Sequence, residues 1–157
     1  MDKSTLKIVP YKPEYAPYFE KFNKAWLEEF FVVEPIDKYV LENCEEAILS
    51  KGGKIFFAEC DGKIIGTVAL MYVEPDVIEL TKMAVDKNYR NVGAGKLLCR
   101  TGMEEAEKMN AAKVMLYSNR KLEAAIGIYR KLGFVEIPLG EGTYQRADIK
   151  MEYVFKK

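Results

Sequence analysis

Tyr89-Arg-Asn-Val-Gly-Ala-Gly-Lys-Leu-Leu98 is the stretch on which the fold turns. Ahead of it runs an apolar, strand-like segment, Val77 to Val85, and behind it the spacing predicts a helix from Ala94 to Met109. A glycine-bearing turn between a strand and a helix leaves the first backbone N–H groups of the helix without intrahelical partners. Those amides and the positive end of the helix dipole together suit a phosphate. Gly93 and Gly95 lack a Cβ, so a ligand can approach the backbone closely, and Arg90 and Lys96 place a cation on either side. The loop residues Arg90, Asn91, Val92, Gly93, Ala94, Gly95 and Lys96 thus form a candidate pyrophosphate site.

Two common phosphate motifs do not fit. A P-loop requires glycine where this chain has Arg90, and Ser or Thr where it has Leu97. A dinucleotide fingerprint requires a third glycine at Leu98. What remains, Arg-x-x-Gly-x-Gly from Arg90 to Gly95, resembles the acyl-CoA pyrophosphate loop of the GNAT-type N-acetyltransferase superfamily. Farther on, Ala125-Ile-Gly-Ile-Tyr129-Arg-Lys-Leu-Gly133-Phe134 is similar to that superfamily's Ala-x-x-x-Tyr-x-x-x-Gly-Phe signature. Each pattern is loose, but their order and their separation by a strand make the pair far more specific. The resemblance runs from roughly Lys54 to Phe155, and the closing Tyr144-Gln-Arg-Ala-Asp-Ile-Lys-Met-Glu resembles a subgroup of small acetyltransferases.

The resemblance implies an α/β (α+β) fold: a mixed, mostly antiparallel sheet of about seven strands, helices on both faces, and a splayed central parallel pair. It implies acetyl-CoA as cosubstrate and no metal. The backbone of Met83, Ala84 and Val85 would hold the pantetheine arm, Glu79 would be the base, and Tyr129 would anchor or protonate the departing sulfur. Many family members have an asparagine seven residues before that tyrosine. Here Leu122 stands there and Asn119 lies ten before it, which weakens the assignment of Asn119 to the cofactor.

Composition agrees with one acetyltransferase domain over residues 1–157, about 1–53 forming the acceptor side and 54–157 the sheet core. Apolar residues make up 49%, ample for a core, and a chain of this length buries roughly 70% of its unfolded surface. Twenty-four basic and twenty-four acidic residues cancel, which argues against a nucleic-acid binder or a protein of anionic membranes. No segment approaches the ~20 apolar residues of a membrane span, and the start lacks a signal-peptide block. Cys44, Cys60 and Cys99 are odd in number and widely spaced, pointing to free thiols in a reducing cytoplasm. There is no histidine, so a histidine base or histidine-ligated metal is excluded. A homodimer stays open.

Element signals alternate without linker or repeat. Leu6 to Tyr11 reads as a strand; Pro13 to Phe31 and about Pro35 to Ser50 carry helical spacing. Ile55 to Cys60 and Ile64 to Tyr72 flank Asp61-Gly62, a strong hairpin signal. The Val77 to Tyr117 unit implies a parallel crossover, with a helix from about Leu122 to Leu132 next. Phe134 to Ile137 and Ala147 to Phe155 make a terminal antiparallel pair.

For amine acetylation, an alkylammonium of pKa near 10.4 must lose its proton, at a cost of roughly 4–5 kcal/mol at pH 7. A carboxylate can accept it, and alignment of the reactants contributes more, up to roughly 7–11 kcal/mol. Glu79, amid Val77, Ile78, Leu80 and Met83, reads either as a desolvated base or as an outward strand residue; Glu59 is its rival. Tyr129 shares the stripe of Leu122, Ala125 and Ile126, so periodicity alone makes it a core aromatic, whereas the resemblance makes it an acid. The acceptor, a small-molecule or peptide amine, would meet the first helices. There Trp26, Phe30 and Phe31 with Glu28, Glu29, Glu34 and Asp37 suit a cation, or simply a packed and solvated helix. An acyl-CoA-binding sensor without turnover is the alternative function.

Overall fold

The computed structural model describes residues 5–140 and 144–156. Its elements are β1 (Leu6–Pro10), α1 (Ala16–Phe30), α2 (Pro35–Glu42), α3 (Cys44–Ala47), β2 (Lys54–Cys60), β3 (Lys63–Glu74), β4 (Val77–Val85), α4 (Ala94–Lys108), β5 (Lys113–Ser118), α5 (Glu123–Leu132), β6 (Val135–Ile137) and β7 (Ile149–Val154). The strands form one sheet in the order β1-β2-β3-β4-β5-β7-β6. All pairings are antiparallel except β4 with β5. The mixed sheet and its central parallel pair agree with the expected architecture. What the alternation signal did not convey is that β7 inserts between β5 and β6.

Helices cover both faces. On one side α4 and α5 bury Leu98, Cys99, Met103, Ala106 and Ile126 against Val68, Leu70, Leu80, Val114 and Met151. On the other, Phe19, Phe22 and Leu27 of α1 join Val40 and Leu41 of α2 over Ile55, Phe57 and Ala69. Residues as fully enclosed as Leu98 and Phe19 each stabilise the fold by roughly 1.5–3 kcal/mol. The Asp61-Gly62 hairpin forms as expected, both residues having positive φ (53° and 77°), as its tight turn demands.

One helix differs from its reading. Instead of a single helix over Pro35 to Ser50, α2 stops at Glu42, and α3 and a short 3-10 turn (Leu49–Lys51) follow. Asn43 leaves the helical region (φ −134°, ψ 46°), and its side-chain amide donates to the Tyr39 carbonyl (3.0 Å). Asparagine side chains compete with backbone hydrogen bonding in this way, and apolar periodicity does not register it. The start of α2 is firmly set by Pro35 and by a capping box in which the Glu34 N–H donates to Asp37 Oδ2 (2.9 Å).

Candidate active site

The site begins where the parallel ladder fails. Val77 pairs with Lys113, Ile78 with Val114 and Glu79 with Met115, and there pairing stops, although β4 runs on to Val85 and β5 to Ser118. On its far side β5 stays paired with β7 as far as Ser118. From Leu80 onward, the edge of β4 that faces β5 therefore has no ladder partner. Backbone groups there are open to a ligand. A cavity of about 460 Å³ lies at the opening, within the usual range for small-molecule sites. Its walls come from β4 (Leu80 to Met83), the end of β5 (Tyr117 to Asn119), α5 (Ala125, Tyr129), α1 and its exit (Trp26, Phe30, Phe31), and Arg90, Tyr144 and Arg146.

β4 carries an irregularity that the sequence conceals. Thr67 pairs with Ala84 and Ala69 with Thr81, so β4 holds one residue more than β3 between those rungs. Lys82 occupies the bulge with φ +54°, a left-handed conformation that non-glycine residues seldom adopt. The extra residue reverses the side-chain alternation. Ile78 and Leu80 face the α4 side before the bulge, and Met83 and Val85 do so after it. Of the three residues assigned to pantetheine, Met83 lines the cavity, while Ala84 and Val85 pair with Thr67 and Gly66 of β3.

Beyond β4, a 3-10 segment (Lys87–Val92) leads into α4, with Asp86 Oδ1 accepting from the Asn88 N–H (3.0 Å). Gly93 is the N-cap of α4 at φ +86°, a conformation for which glycine is suited. Nothing lies within 4 Å of where a Cβ on Gly93 or Gly95 would stand. Packing thus gives no reason for glycine at 95, where it weakens the helix by about 1 kcal/mol relative to alanine. Val92 and Ala94 are buried anchors of the loop, Lys96 is exposed, and the side chain of Asn91 lies outside the described residues. Arg90 does not stand free as a phosphate ligand. Its guanidinium is bidentate to Glu29 at the end of α1 (2.7 and 3.0 Å) and lies over the Phe30 ring.

Glu79 is buried (9% exposed) and holds its proton more tightly than an ordinary glutamate, because burial disfavours the carboxylate; Lys82, Thr81, Tyr144 and Arg146 pull the other way. It does not line the cavity; Thr81, Lys82, Tyr144 and Arg146 do. Around it lies a buried network that sequence reasoning missed. Asp37, wholly enclosed, receives Lys82 Nζ (2.8 Å) and Arg146 Nη2 (3.0 Å) on Oδ1 and Arg146 Nη1 (2.7 Å) on Oδ2. Glu34 accepts from Arg146 Nη1 (3.0 Å) and from the Gln145 N–H (3.0 Å). Burial alone would raise Asp37, but the hydrogen bonds from Arg146 and the Lys82 charge outweigh it and hold the carboxyl below its usual range. No motif or local pattern joins residues 34 and 37 to 82 and 146, which lie far apart in the sequence.

Tyr129 lines the cavity, its ring against Phe134 (centroids 5.9 Å apart), and burial pushes its hydroxyl well above the tyrosine range. Asn119 also lines it, but both ends of its amide are engaged, donating to the Arg146 carbonyl (2.8 Å) and accepting from the Lys121 N–H (3.0 Å). Glu59 pairs with Lys7 (3.2 Å) and is no part of the cavity wall. Of the two readings of the first helices, the acidic lining for a cationic acceptor is not formed. Trp26, Phe30 and Phe31 line the cavity, whereas Glu28, Glu29, Glu34 and Asp37 do not, the last three being held by Arg90, Arg146 and Lys82.

Known proteins share this fold. Over 96% of this chain and 99% of theirs, the structure superposes on an acetyltransferase of the GNAT family from Staphylococcus aureus Mu50 (TM-score 0.84, 25% identity) and on PaiA N-acetyltransferase from Thermoplasma acidophilum in complex with coenzyme A (TM-score 0.73, 19% identity). In sequence it is similar to N-acetylaspartate synthetase of Xenopus tropicalis (33% identity over 103 residues, 64% of this chain and 38% of that protein). It is also similar to human N-acetyltransferase 8B (28% over 118 residues, 67% and 52%). The chain thus spans only 38% to 52% of the length of these relatives. Residues 16–134, well over half the chain, match the sequence model of the acetyltransferase (GNAT) family, and with this fold around them the chain belongs to that family.

Proposed function

We propose that the protein transfers an acetyl group from acetyl-CoA to a primary amine by direct attack of the amine on the thioester. One observation carries this reading. The parting of β4 from β5 at Glu79 and Met115 opens one cavity to the unpaired β4 edge and to Tyr129, with Arg90 of the loop that leads into α4 on its wall. Coenzyme A is bound in the PaiA structure of the same fold.

Bound acetyl-CoA would supply an activated acyl carbon with a thiolate leaving group. The chain's residues supply the rest. N–H groups at the start of α4 face the pyrophosphate, and the β4 edge at Met83 holds the pantetheine amides. Glu79 accepts the amine proton; since it is recessed, the proton reaches it through the hydroxyls of Thr81 or Tyr144, which line the cavity beside it. The Tyr129 hydroxyl, protonated at neutral pH, donates to the departing sulfur. The recess of Glu79 is also the observation that favours a second reading, an acyl-CoA-binding domain without turnover. A cytoplasmic location suits the three cysteines, all buried and none in a disulfide, and no helix among the described residues is long and apolar enough to cross a membrane.

The test is thermal stability with and without CoA, followed by CoA release from acetyl-CoA over a panel of amines. Binding to the folded state alone stabilises by about 2.7 kcal/mol at a hundredfold excess over Kd. A shift with CoA and amine-dependent release is the expected result. A shift without release on any amine supports the sensor, and no shift with millimolar CoA overturns both readings.

A further inference from the structure

The charges on the cavity wall are one-sided. Lys82, Arg90, Lys121 and Arg146 line it, against a single acid, Glu123. The carboxylates that balance the cations, Glu29, Glu34 and Asp37, lie outside the lining, so the wall carries the cationic residues and not their acidic partners. Two of these cations converge on one atom, Asp37 Oδ1, and neither is exhausted there. Arg146 uses three of a guanidinium's five N–H donors, and Lys82 gives one to Asp37 and a long one (3.4 Å) to the Tyr144 hydroxyl. Lys121 has no carboxylate partner among the described residues. Its ammonium donates to the Phe30 carbonyl (2.7 Å) and sits 4.1 Å from the centre of the Phe31 ring.

Aromatic rings on the wall do not restore a seat for a cation. Phe30 is occupied by Arg90, Phe31 by Lys121, Tyr117 by Lys150, and Tyr144 by both Lys82 and Arg146. Of the wall's large rings beyond Tyr129, only Trp26 is without such a partner among the described residues. A polycationic acceptor therefore meets repulsion and rings already taken. An anion meets spare N–H donors in a partly desolvated setting, where charge-assisted hydrogen bonds are strong. The same cations disfavour the ammonium form of a bound amine, which helps it to present a lone pair.

We infer that the acceptor carries a carboxylate within a few bonds of its amine, the chemistry of an α-amino acid, and that Arg146 and Lys82 receive this carboxylate with Lys121 at the side of the cavity formed by the exit of α1. This rests on the acetyl-transfer reading and names the substrate class for it. Apolar wall residues such as Trp26 and Leu27 leave room for an uncharged side chain.

The test compares matched triads on the unmodified protein: phenylalanine, phenylalaninamide and phenethylamine, then alanine, alaninamide and ethylamine, with acetyl-CoA and CoA release as readout. The expected result is a kcat/KM for the acid at least tenfold above that of its amide and its decarboxylated amine. The amide's less basic nitrogen biases the comparison against this outcome. Equal or better turnover of amide or amine overturns the inference while leaving acetyl transfer standing. Absence of turnover on every arm, while other amines of the panel release CoA, overturns the inference alone; absence on the whole panel overturns acetyl transfer and the inference with it. Lys121→Met, at an exposed position, is expected to narrow the acid-over-amide ratio severalfold, and Arg146→Lys to narrow it further. A ratio unchanged in both variants overturns the placement of the carboxylate.

Discussion

Lys82 Nζ lies 2.8 Å from Asp37 Oδ1, with 3% and 0% of the two side chains exposed. One residue sits in the left-handed bulge of β4, the other in the first turn of α2, so the pair joins the central strand to the helix that covers it. Removing one partner of a buried pair leaves the other charge unsatisfied, typically at about 3–5 kcal/mol. Asp37→Ala should therefore lower Tm by several degrees and shift the denaturant midpoint. Glu42→Ala, which breaks the exposed pair with Lys24, should change little. Equal effects of the two variants would show that the buried network does not hold α2.

Acid should expose the same network. Asp37 has a folded pKa below its unfolded value, so the stability it contributes is complete above that unfolded value, near 3.9, and is lost as pH falls through the folded one. Denaturant midpoints followed from pH 6 down to pH 3 should show a loss in the parent protein that is much smaller in Asp37→Asn.

Glu79 has the opposite sign. Its folded pKa is raised, so the ionised form opposes folding at neutral pH; this opposition fades as pH falls through the raised folded pKa and is gone below the unfolded value near 4.3. Glu79→Gln should be more stable than the parent at pH 7 to 8, yet slower in kcat by roughly 10²–10⁴-fold if Glu79 is the base. The loss should shrink at high pH, where the amine deprotonates unaided. A pH–rate profile unchanged by Glu79→Gln would assign the proton to solvent.

How much of this was legible in advance depended on the range of the forces involved. The span of β4, the Asp61-Gly62 hairpin, the Gly93 helix start and the crossover to β5 rest on local patterns of apolar spacing and turn residues, and all appear as read. The break at Asn43 was missed because one side chain's bond to a carbonyl leaves no trace in periodicity. The bulge at Lys82 was missed for a different reason. A lysine at positive φ goes against local preference, and it is tolerated where Asp37 and Tyr144, 45 and 62 residues away, receive its ammonium. Such long-range electrostatics also make Glu29, Glu34 and Asp37, which the sequence left open between substrate contacts and helix charges, partners of the protein's own cations.

Gly95 separates binding from folding. Open space surrounds the position and its φ is not left-handed, so Gly95→Val should leave stability close to that of the parent. It would place a branched side chain over the first amides of α4, and the thermal shift given by CoA should be lost. Gly93→Val is the contrast, since its φ of +86° adds backbone strain of roughly 1–2 kcal/mol whether or not ligand is present. A full CoA shift in Gly95→Val would remove the helix start from the site.

Tyr129→Phe keeps the ring beside Phe134 and deletes only the hydroxyl, which has no hydrogen-bond partner among the described residues. Stability and CoA affinity should hardly change, while kcat should fall by up to roughly 10²-fold if the hydroxyl donates to the leaving sulfur. Unimpaired turnover would make Tyr129 a wall residue.

Arg90 is where ligand and fold compete. Its guanidinium is bidentate to Glu29, an exposed pair that ties the end of α1 to the loop before α4. Glu29 raises the pKa of Arg90, and Arg90 lowers that of Glu29, as expected when each stabilises the other's charge. A pyrophosphate at the α4 start carries more charge than one carboxylate, so Arg90 gains by exchanging Glu29 for it. Breaking the pair in advance removes that cost: Glu29→Gln should tighten CoA binding by roughly two- to fivefold, and Arg90→Ala should weaken it. Salt gives an independent check, because it screens the exposed bridge and the phosphate contact alike. The advantage of Glu29→Gln should therefore be largest at low ionic strength and vanish near 1 M. Identical CoA affinities in the parent and Glu29→Gln across that range would mean that Arg90 stays with Glu29 and takes no part in binding the pyrophosphate.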